Sequence, residues 1–343
     1  MEVLAIKKIL VIQTAFLGDA ILTLPMLQRL KEKFSDAHIS VLCIPSTKEI
    51  FEACTAVDNV VEYDKHGKEK SLLSYAKLIK KLRNENFAEI YSPHRSLRST
   101  LIAYFANVKT TIGFDNSAAK FLYDEQVKYL SDIHEVARNL KLIGEYIGDE
   151  KWRVLPSLSI SASASKKVKD ILAGIKNEKI IAIAPGSVWE TKKYPQNYYE
   201  DVIQYLISKK YYIILIGGKE DASFCEAIEN KFDLNVKSFA GSLTVIESIE
   251  MLKNVHMLIS NDSAPTHMAM AADIPTLTIY CSTVSSFGFY PYNKKSQYIS
   301  YDDLECKPCG IHGHNRCPIT TFDCGVKLLP KIVIHKISEM LTS

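Results

Sequence analysis

The sequence predicts an α/β protein made of two open sheets of parallel strands, with a cleft between their strand ends. Three observations carry that expectation. Short apolar runs at 8–13, 179–184 and 255–259 are rich in β-branched residues, as buried parallel strands are, and amphipathic segments alternate with them. The alternation breaks at about 148–178, in a stretch holding Pro156, the serine/alanine run 157–165 that reads as extended, and a lysine-rich helix after it, and then starts again. Several strands run directly into helices through a few small polar residues, and such junctions lie on the ligand-binding edge of an open sheet. The expected organisation is a first domain over 1–155, a linker over 156–177, a second domain over 178–326 and a terminal helix over 327–343.

Composition narrows the function classes. A chain of 343 residues exceeds one ordinary core and suits two domains. Its 47% hydrophobic and 24% charged residues are ordinary for a globular protein in water. A net charge of +3 gives no field for binding nucleic acid. No apolar run approaches the roughly 20 residues that span a bilayer. Residues 1–13 lack a small-residue cleavage site, so they read as the first strand of a cytoplasmic protein.

The opening strand, 8–13, leads through 14–19 into a helix on which Leu17, Ile21, Leu24, Leu27 and Leu30 share a face. Pro25 is expected in the first turn or two of that helix, where proline is best tolerated. Gly18 and Asp19 fall at the strand-to-helix junction. The helix dipole favours an ionised carboxylate there, and a plain N-cap is the competing role for Asp19. Strands follow at 38–43, 59–63 and 87–91, with a lysine-rich amphipathic helix at 72–84. His94, Arg95 and Arg98 lie in the next loop and helix start, on the same rim as Asp19. They form either a cationic group for an anionic acceptor or a solvated surface. A short strand and turn occupy 111–115. His134 and Arg138 sit one turn apart at the opening of another helix.

In the second half, strand 179–184 feeds a loop, 185–195, that carries Gly186, Ser187 and Lys192. A helix at 196–209 and a strand at 211–216 follow, the strand ending in Gly217-Gly218-Lys219-Glu220. Leu243 precedes a capping-box pattern at 244–247. Asp262, Ser263, Ala264, Pro265, Thr266 and His267 join strand 255–259 to an alanine/methionine-rich helix, with Pro265 suited to its first turn. The free N–H groups of such a start suit a diphosphate; an ordinary capped helix is the alternative. His267 could face phosphate or pack against its helix. A strand occupies 275–280. On the terminal helix Leu329, Val333, Ile337 and Met340 share a face.

Four cysteines, Cys43, Cys54, Cys225 and Cys281, are scattered and expected to be buried apolar side chains. The other four, Cys306, Cys309, Cys317 and Cys324, form C-x2-C-x7-C-x6-C, with His312 and His314 between. The first pair has the spacing of zinc ligands, and the second is wider than a zinc ribbon uses. A structural zinc and loop thiols, reduced or disulfide-linked, are both open readings.

Four motifs in order, Gly18-Asp19, Pro185-Gly186-Ser187 with Thr191-Lys192-Lys193-Tyr194-Pro195, Gly217-Gly218-Lys219-Glu220, and Asp262-Ser263 with His267, resemble those of the bacterial heptosyltransferases. The resemblance spans nearly the whole chain. It implies a GT-B type glycosyltransferase: two facing Rossmann-like domains, with a final helix that usually crosses back to the first. It also implies ADP-heptose as donor and no required cofactor. The acceptor would be a lipid-linked core sugar, phosphorylated or acidic, at the inner face of the inner membrane, where the enzyme would be peripheral. Lysine-rich faces such as 68–81 are candidates for touching anionic lipid, with a merely solvated face as the alternative. By this resemblance Asp19 is the catalytic base and Lys192 contacts the donor phosphates. Gly18, Gly186, Ser187, Asp262, Ser263, Ala264, Thr266 and His267 surround the donor, Glu220 lies near the nucleoside and Leu243 near the adenine. His94, Arg95, Arg98 and Arg138 are candidates for the acceptor. The chain departs from the pattern at Ala264, where glycine is frequent, and at Lys193-Tyr194, where Arg-Trp is common.

Transfer from a nucleotide sugar needs a base at the acceptor hydroxyl, positive charge at the departing diphosphate, and the sugar held in line between them. Asp19 from one half and Lys192 with the 262–267 junction from the other meet those needs, so a single displacement with inversion is expected. Two related readings stay open: a transferase using another nucleotide sugar for a different surface glycan, and a nucleotide-sugar epimerase of the same fold. A non-catalytic nucleotide-binding protein is a third. A dinucleotide oxidoreductase is disfavoured because no G-x-G-x-x-G follows either opening strand.

Overall fold

A computed structural model of the chain describes residues 6–65, 67, 71–175 and 179–342. It divides into two units, Met1–Ser159 and Ile160–Ser343. The first contains β1 (Lys8–Gln13), α1 (Leu17–Lys33), β2 (His38–Cys43), α2 (Lys48–Glu52), β3 (Asn59–Glu62), α3 (Leu72–Asn84), β4 (Glu89–Ser92), α4 (Leu97–Phe105), β5 (Thr110–Phe114), β6 (Glu125–Val127) and α5 (Glu135–Leu142). Its six strands are all parallel, in the order β3-β2-β1-β4-β5-β6.

The second unit contains α6 (Ala162–Ala173), β7 (Ile180–Ala184), α7 (Gln196–Ser208), β8 (Tyr212–Leu215), α8 (Ala222–Glu229), β9 (Val236–Ser238), α9 (Val245–Leu252), β10 (Met257–Asn261), α10 (Ala264–Ala272), β11 (Thr276–Tyr280), β12 (Gln297–Ser300), α11 (Asp323–Val326) and α12 (Pro330–Thr342). Its sheet runs β12-β11-β10-β7-β8-β9, again all parallel. Each sheet therefore starts in its middle, winds one way for three strands, and returns to wind the other way. The reversal falls between β1 and β4 in the first unit and between β7 and β10 in the second. The carboxyl ends at such a reversal are where open α/β sheets hold ligands.

The strands are buried because helices cover both faces of a parallel sheet. Ile9, Leu10, Val11 and Ile12 of β1 are fully buried, as are Ile181, Ala182 and Ile183 of β7. Ile21, Leu24, Leu27 and Leu30 of α1 are buried as their spacing requires. Pro25 lies in the middle of α1 and not in its opening turns, because the helix already begins at Leu17. The apolar face on either side of it outweighs the lost backbone hydrogen bond.

Two further expectations change. The lysine-rich helix expected after the serine/alanine run starts inside that run, at Ala162: Ser161 caps α6 by accepting from Ala164 N at 3.2 Å. Ser165 then donates to Glu250 at 2.9 Å and Lys167 to Glu247 at 2.7 Å, fixing α6 to α9 within the second unit. A serine that satisfies a helix start looks like linker when only composition is read. The terminal helix α12 also belongs to the second unit. Val333, Ile337 and Met340 share a core with Tyr199, Val202 and Leu206 of α7. Leu328 takes the buried place expected of Leu329, which is exposed.

Candidate active site

In the first unit β1 delivers Thr14 and, in the first turn of α1, Asp19; β4 delivers the 93–98 loop. Phe16 occupies the cap position of α1, so Asp19 is not its N-cap. Asp19 as a whole residue is half-buried, with its carboxyl on the inner side. Burial of its carboxyl and, after it, the charge of Glu135 push its pKa up to about 7, against the pull of backbone N–H groups and Arg95. Desolvation thus outweighs the helix dipole that was expected to keep it fully ionised. A carboxyl poised there suits proton abstraction near neutral pH.

Glu135 opens α5, which packs on α1 and is tied to it by Asn139 Nδ2 donating to Leu22 O at 3.1 Å. Arg138 Nε donates to Glu135 Oε2 at 2.6 Å. The same guanidinium donates to the carbonyls of Leu130 at 3.2 Å, Ser131 at 3.3 Å and Ile133 at 2.7 Å. Arg138 is 1% exposed. Its geometry fits a tie that fixes Glu135 and the 130–133 turn better than the acceptor contact expected of it. Arg95 stays partly exposed, with its guanidinium 4.3 Å from the Tyr129 ring centroid; Arg138 approaches the same ring at 5.0 Å. His134, the N-cap of α5, stacks on Trp152 at 4.8 Å.

His94 is not a cation. Its Nδ1 meets Thr14 Oγ1 at 2.8 Å and Ser99 Oγ at 3.0 Å. Burial, with Lys65 and Arg95 nearby, lowers its pKa to about 4, so the ring is neutral at physiological pH. Lys65 supplies a charge that the sequence did not single out. Its Nζ donates to Thr14 O at 2.7 Å, and Arg98 donates to Lys65 O at 3.2 Å. The rim beside Asp19 therefore carries Lys65, Arg95 and Arg98. Glu135, Tyr129 and Lys65 were missed because none repeats at a helix or strand period; only the topology brings them together.

In the second unit the 185–195 loop and the β10–α10 junction meet. Lys192 Nζ lies 2.7 Å from Asp262 Oδ2, and Thr283 donates to the same oxygen at 2.7 Å. Asn261, fully buried, clamps the loop. Its Nδ2 donates to Pro185 O at 2.7 Å, and its Oδ1 accepts from Tyr194 N at 3.0 Å and Tyr199 OH at 2.9 Å. Ser263 stands at the cap of α10, but its hydroxyl bonds no helix N–H, and Ser263, Ala264 and Pro265 are partly exposed. His267 is nearly buried and its Nδ1 has no hydrogen-bond partner among the described residues. Burial lowers its pKa to about 4; Asp262 and Lys192 pull in opposite directions. Thr266 is taken up by the framework, donating to Asn261 O at 3.3 Å and meeting Thr278 Oγ1 at 2.9 Å.

Of the remaining donor candidates Gly18 lies in the first turn of α1, in the first unit, and the others lie on adjoining turns of the second. A Cβ at Gly186 would fall 2.1 Å from Asp221 Oδ1, so any larger residue there must displace that carboxylate. Asp221 Oδ2 accepts from Gly218 N at 3.0 Å. Gly241, at φ +74°, packs on Lys219 and donates to Gly217 O at 3.0 Å, which brings the Leu243 turn beside the exposed Glu220 turn. Ser187 accepts from Trp189 N at 3.3 Å.

The cysteine-rich segment straps the lysine loop. Thr191 N donates to His314 O at 3.0 Å and His314 N to Thr191 Oγ1 at 2.8 Å. Gly313, at φ +81°, leaves no space for a side chain between Ser282, Thr191 and Lys192. Cys306, Cys309, Cys317 and Cys324 are free thiols, and burial pushes Cys324 up to about 11. Among the described residues, no three histidine, cysteine or acidic side chains are arranged to hold a metal ion. The hydrogen bonds of the segment join it to the residue before Lys192.

The description of glycosyltransferase family 9 (heptosyltransferase) matches residues 75–316. The chain belongs to this family. Among its relatives, lipooligosaccharide heptosyltransferase 2 of Haemophilus influenzae is 22% identical over 296 residues, covering 80% of this chain and 83% of that protein. The solved structure of the E. coli ADP-heptose lipopolysaccharide heptosyltransferase II superposes with a TM-score of 0.79 at 19% identity, covering 98% of each chain. The iron-containing dodecameric E. coli glycosyltransferase TibC superposes at 0.63 and 15% identity, covering 99% of this chain and 80% of that one. The two parallel six-stranded sheets are those expected of a GT-B glycosyltransferase.

Proposed function

We propose that this family 9 chain is an inverting transferase that moves heptose from ADP-heptose to a lipid-linked inner-core sugar of lipopolysaccharide. The observation that carries the reading is the start of α10. There an uncapped helix end, the unpartnered Nδ1 of His267 and the ammonium of Lys192 gather on one short junction. Those groups suit the growing negative charge of a departing diphosphate. Asp262 holds Lys192 in place, since a carboxylate would itself repel phosphate. Glu220 and Leu243 bracket the nucleoside from adjoining turns. On the first unit Asp19 takes the acceptor proton, and Arg95, Arg98 and Lys65 attract an acidic acceptor. Attack by the acceptor hydroxyl opposite the leaving group inverts the anomeric carbon in one displacement.

The donor assignment draws on ADP-heptose being the substrate named for the E. coli relative. No described helix is long and apolar enough to cross a membrane, so a membrane-borne acceptor would be met from the surface. No step is assigned to the late cysteines; a structural zinc there is tested by metal analysis of the purified protein. The reading as a whole is tested by offering ADP-, UDP- and GDP-sugars with a lipid-linked core acceptor and weighing the products. Addition of one heptose from ADP-heptose is the expected result. Transfer from only another nucleotide sugar overturns the donor, and release of free sugar without acceptor points to the epimerase.

A further inference from the structure

We propose that the outer face of α3, with Tyr104 and Phe105 of α4, docks the first unit on an anionic lipid surface. α3 reads LLSYAKLIKKLRN and contains four cations and no acid. Leu78, Ile79 and Leu82 turn inward and are buried. Leu72 is 88% exposed and Leu73 77%, on a face they share with Ala76, Lys77, Lys80 and Arg83. Two adjacent leucines left in water are costly on a merely solvated face, and lysines alone would not need them. Tyr104 and Phe105 extend the apolar part, packed edge to face at 5.3 Å, and Arg83 Nε donates to Phe105 O at 2.6 Å. Lys77, Lys80 and Lys81 have no acidic partner among the described residues, whereas the first acid after the helix, Glu85, is tied to Lys8 at 3.1 Å.

Leucines that enter the headgroup boundary, flanked by long-stemmed cations that reach phosphate, suit a negatively charged bilayer. Position in the chain supports that occupant. Lys65, on the acceptor rim, stands a short stretch before α3, and Arg98, which grips its carbonyl, opens α4. A surface seated here would bring a lipid-linked sugar to the same unit as Asp19. Lys68 and Lys70 of the expected lysine-rich face lie outside the described residues. The proposal rests on the acceptor being lipid-borne, but its test does not require transfer.

The test is co-sedimentation of the purified full chain, without donor or acceptor, with vesicles of phosphatidylglycerol and phosphatidylethanolamine or of phosphatidylcholine alone. The wild type should bind the anionic vesicles, be released by high salt, and ignore phosphatidylcholine. Leu72→Ser with Leu73→Ser should weaken binding about tenfold, and Lys77→Glu with Lys80→Glu and Lys81→Glu about a hundredfold or more, both with unchanged melting. No binding to anionic vesicles, wild-type binding by both variants, or equal binding to phosphatidylcholine overturns the proposal. In parallel, heptose transfer to a soluble acceptor fragment should be equal in wild type and variants. Loss of that activity in the variants also overturns it. Vesicle binding without transfer by any of the proteins leaves docking intact and refutes the proposed activity instead.

Discussion

Lys192 and Asp262 meet at 2.7 Å with side chains only 13% and 10% exposed, so the ammonium that faces the α10 start is fixed by a nearly buried carboxylate. The pair separates two kinds of loss. Lys192→Ala removes the cation, and donor kcat/KM should fall about a hundredfold or more. Asp262→Asn keeps the cation but loosens it, and the fall should be about tenfold, mostly in donor KM. Steady-state kinetics at varied donor concentration decide this; equal losses in the two variants would place Asp262 in direct contact with the donor.

Asp19 should set the acid limb of the rate profile. A base works when ionised, so kcat/KM should rise with pH through about 7. Glu135→Gln removes a repelling charge and should move that limb to lower pH. Arg95→Ala removes an attracting charge and should move it higher. Asp19→Asn should lose transfer by about a thousandfold or more while donor binding, read by titration calorimetry, persists. A limb that stays in place in Glu135→Gln would disconnect the two carboxyls.

His267 gives a stability prediction with a defined sign. Its folded pKa is lowered to about 4 from 6.5. Below pH 6.5 the unfolded chain takes up a proton that the native ring refuses, so stability falls as pH drops from 6.5 towards 4 and levels off below. The contribution is on the order of 3 kcal/mol. Asp19 acts with opposite sign, since its raised pKa lets the native state hold a proton first. Urea unfolding of wild type and His267→Gln across this range isolates the histidine: their stability difference should change with pH between 6.5 and 4 and be flat above.

Gly186→Ala places a methyl group 2.1 Å from Asp221 Oδ1. The turn or the carboxylate must shift, at a cost of about 2 kcal/mol. Adding Asp221→Ala should recover part of that stability, because the obstructing atoms are gone. Thermal melting of the single and double variants checks it; a double variant no better than Gly186→Ala would locate the conflict elsewhere.

The strand-to-helix rhythm was legible because the buried runs of β1, β7 and β10 are apolar enough to be read without context. Gly18-Asp19 and the 262–267 junction could be placed because each follows such a strand. What periodicity does not encode is what a neighbouring element does to a side chain. Arg138 reads as an exposed cation until Glu135 and three carbonyls enclose it. His94 reads as charged until Thr14 and Ser99 surround its ring. Asn261 looks like the end of a strand, yet its amide holds the lysine loop through contacts with residues 185 and 194. Short elements such as β6, β9 and α8 carry too few residues to announce themselves.

Both sheets share one winding order, and the chain passes from one unit to the other between Ser159 and Ile160. Under the proposed division of labour, what a homologue accepts and what it donates are then inherited as separable modules. Splicing the halves of two relatives at that peptide should exchange the recipient glycan while leaving the activated sugar unchanged, a route by which surface polysaccharides can diversify without rebuilding either half.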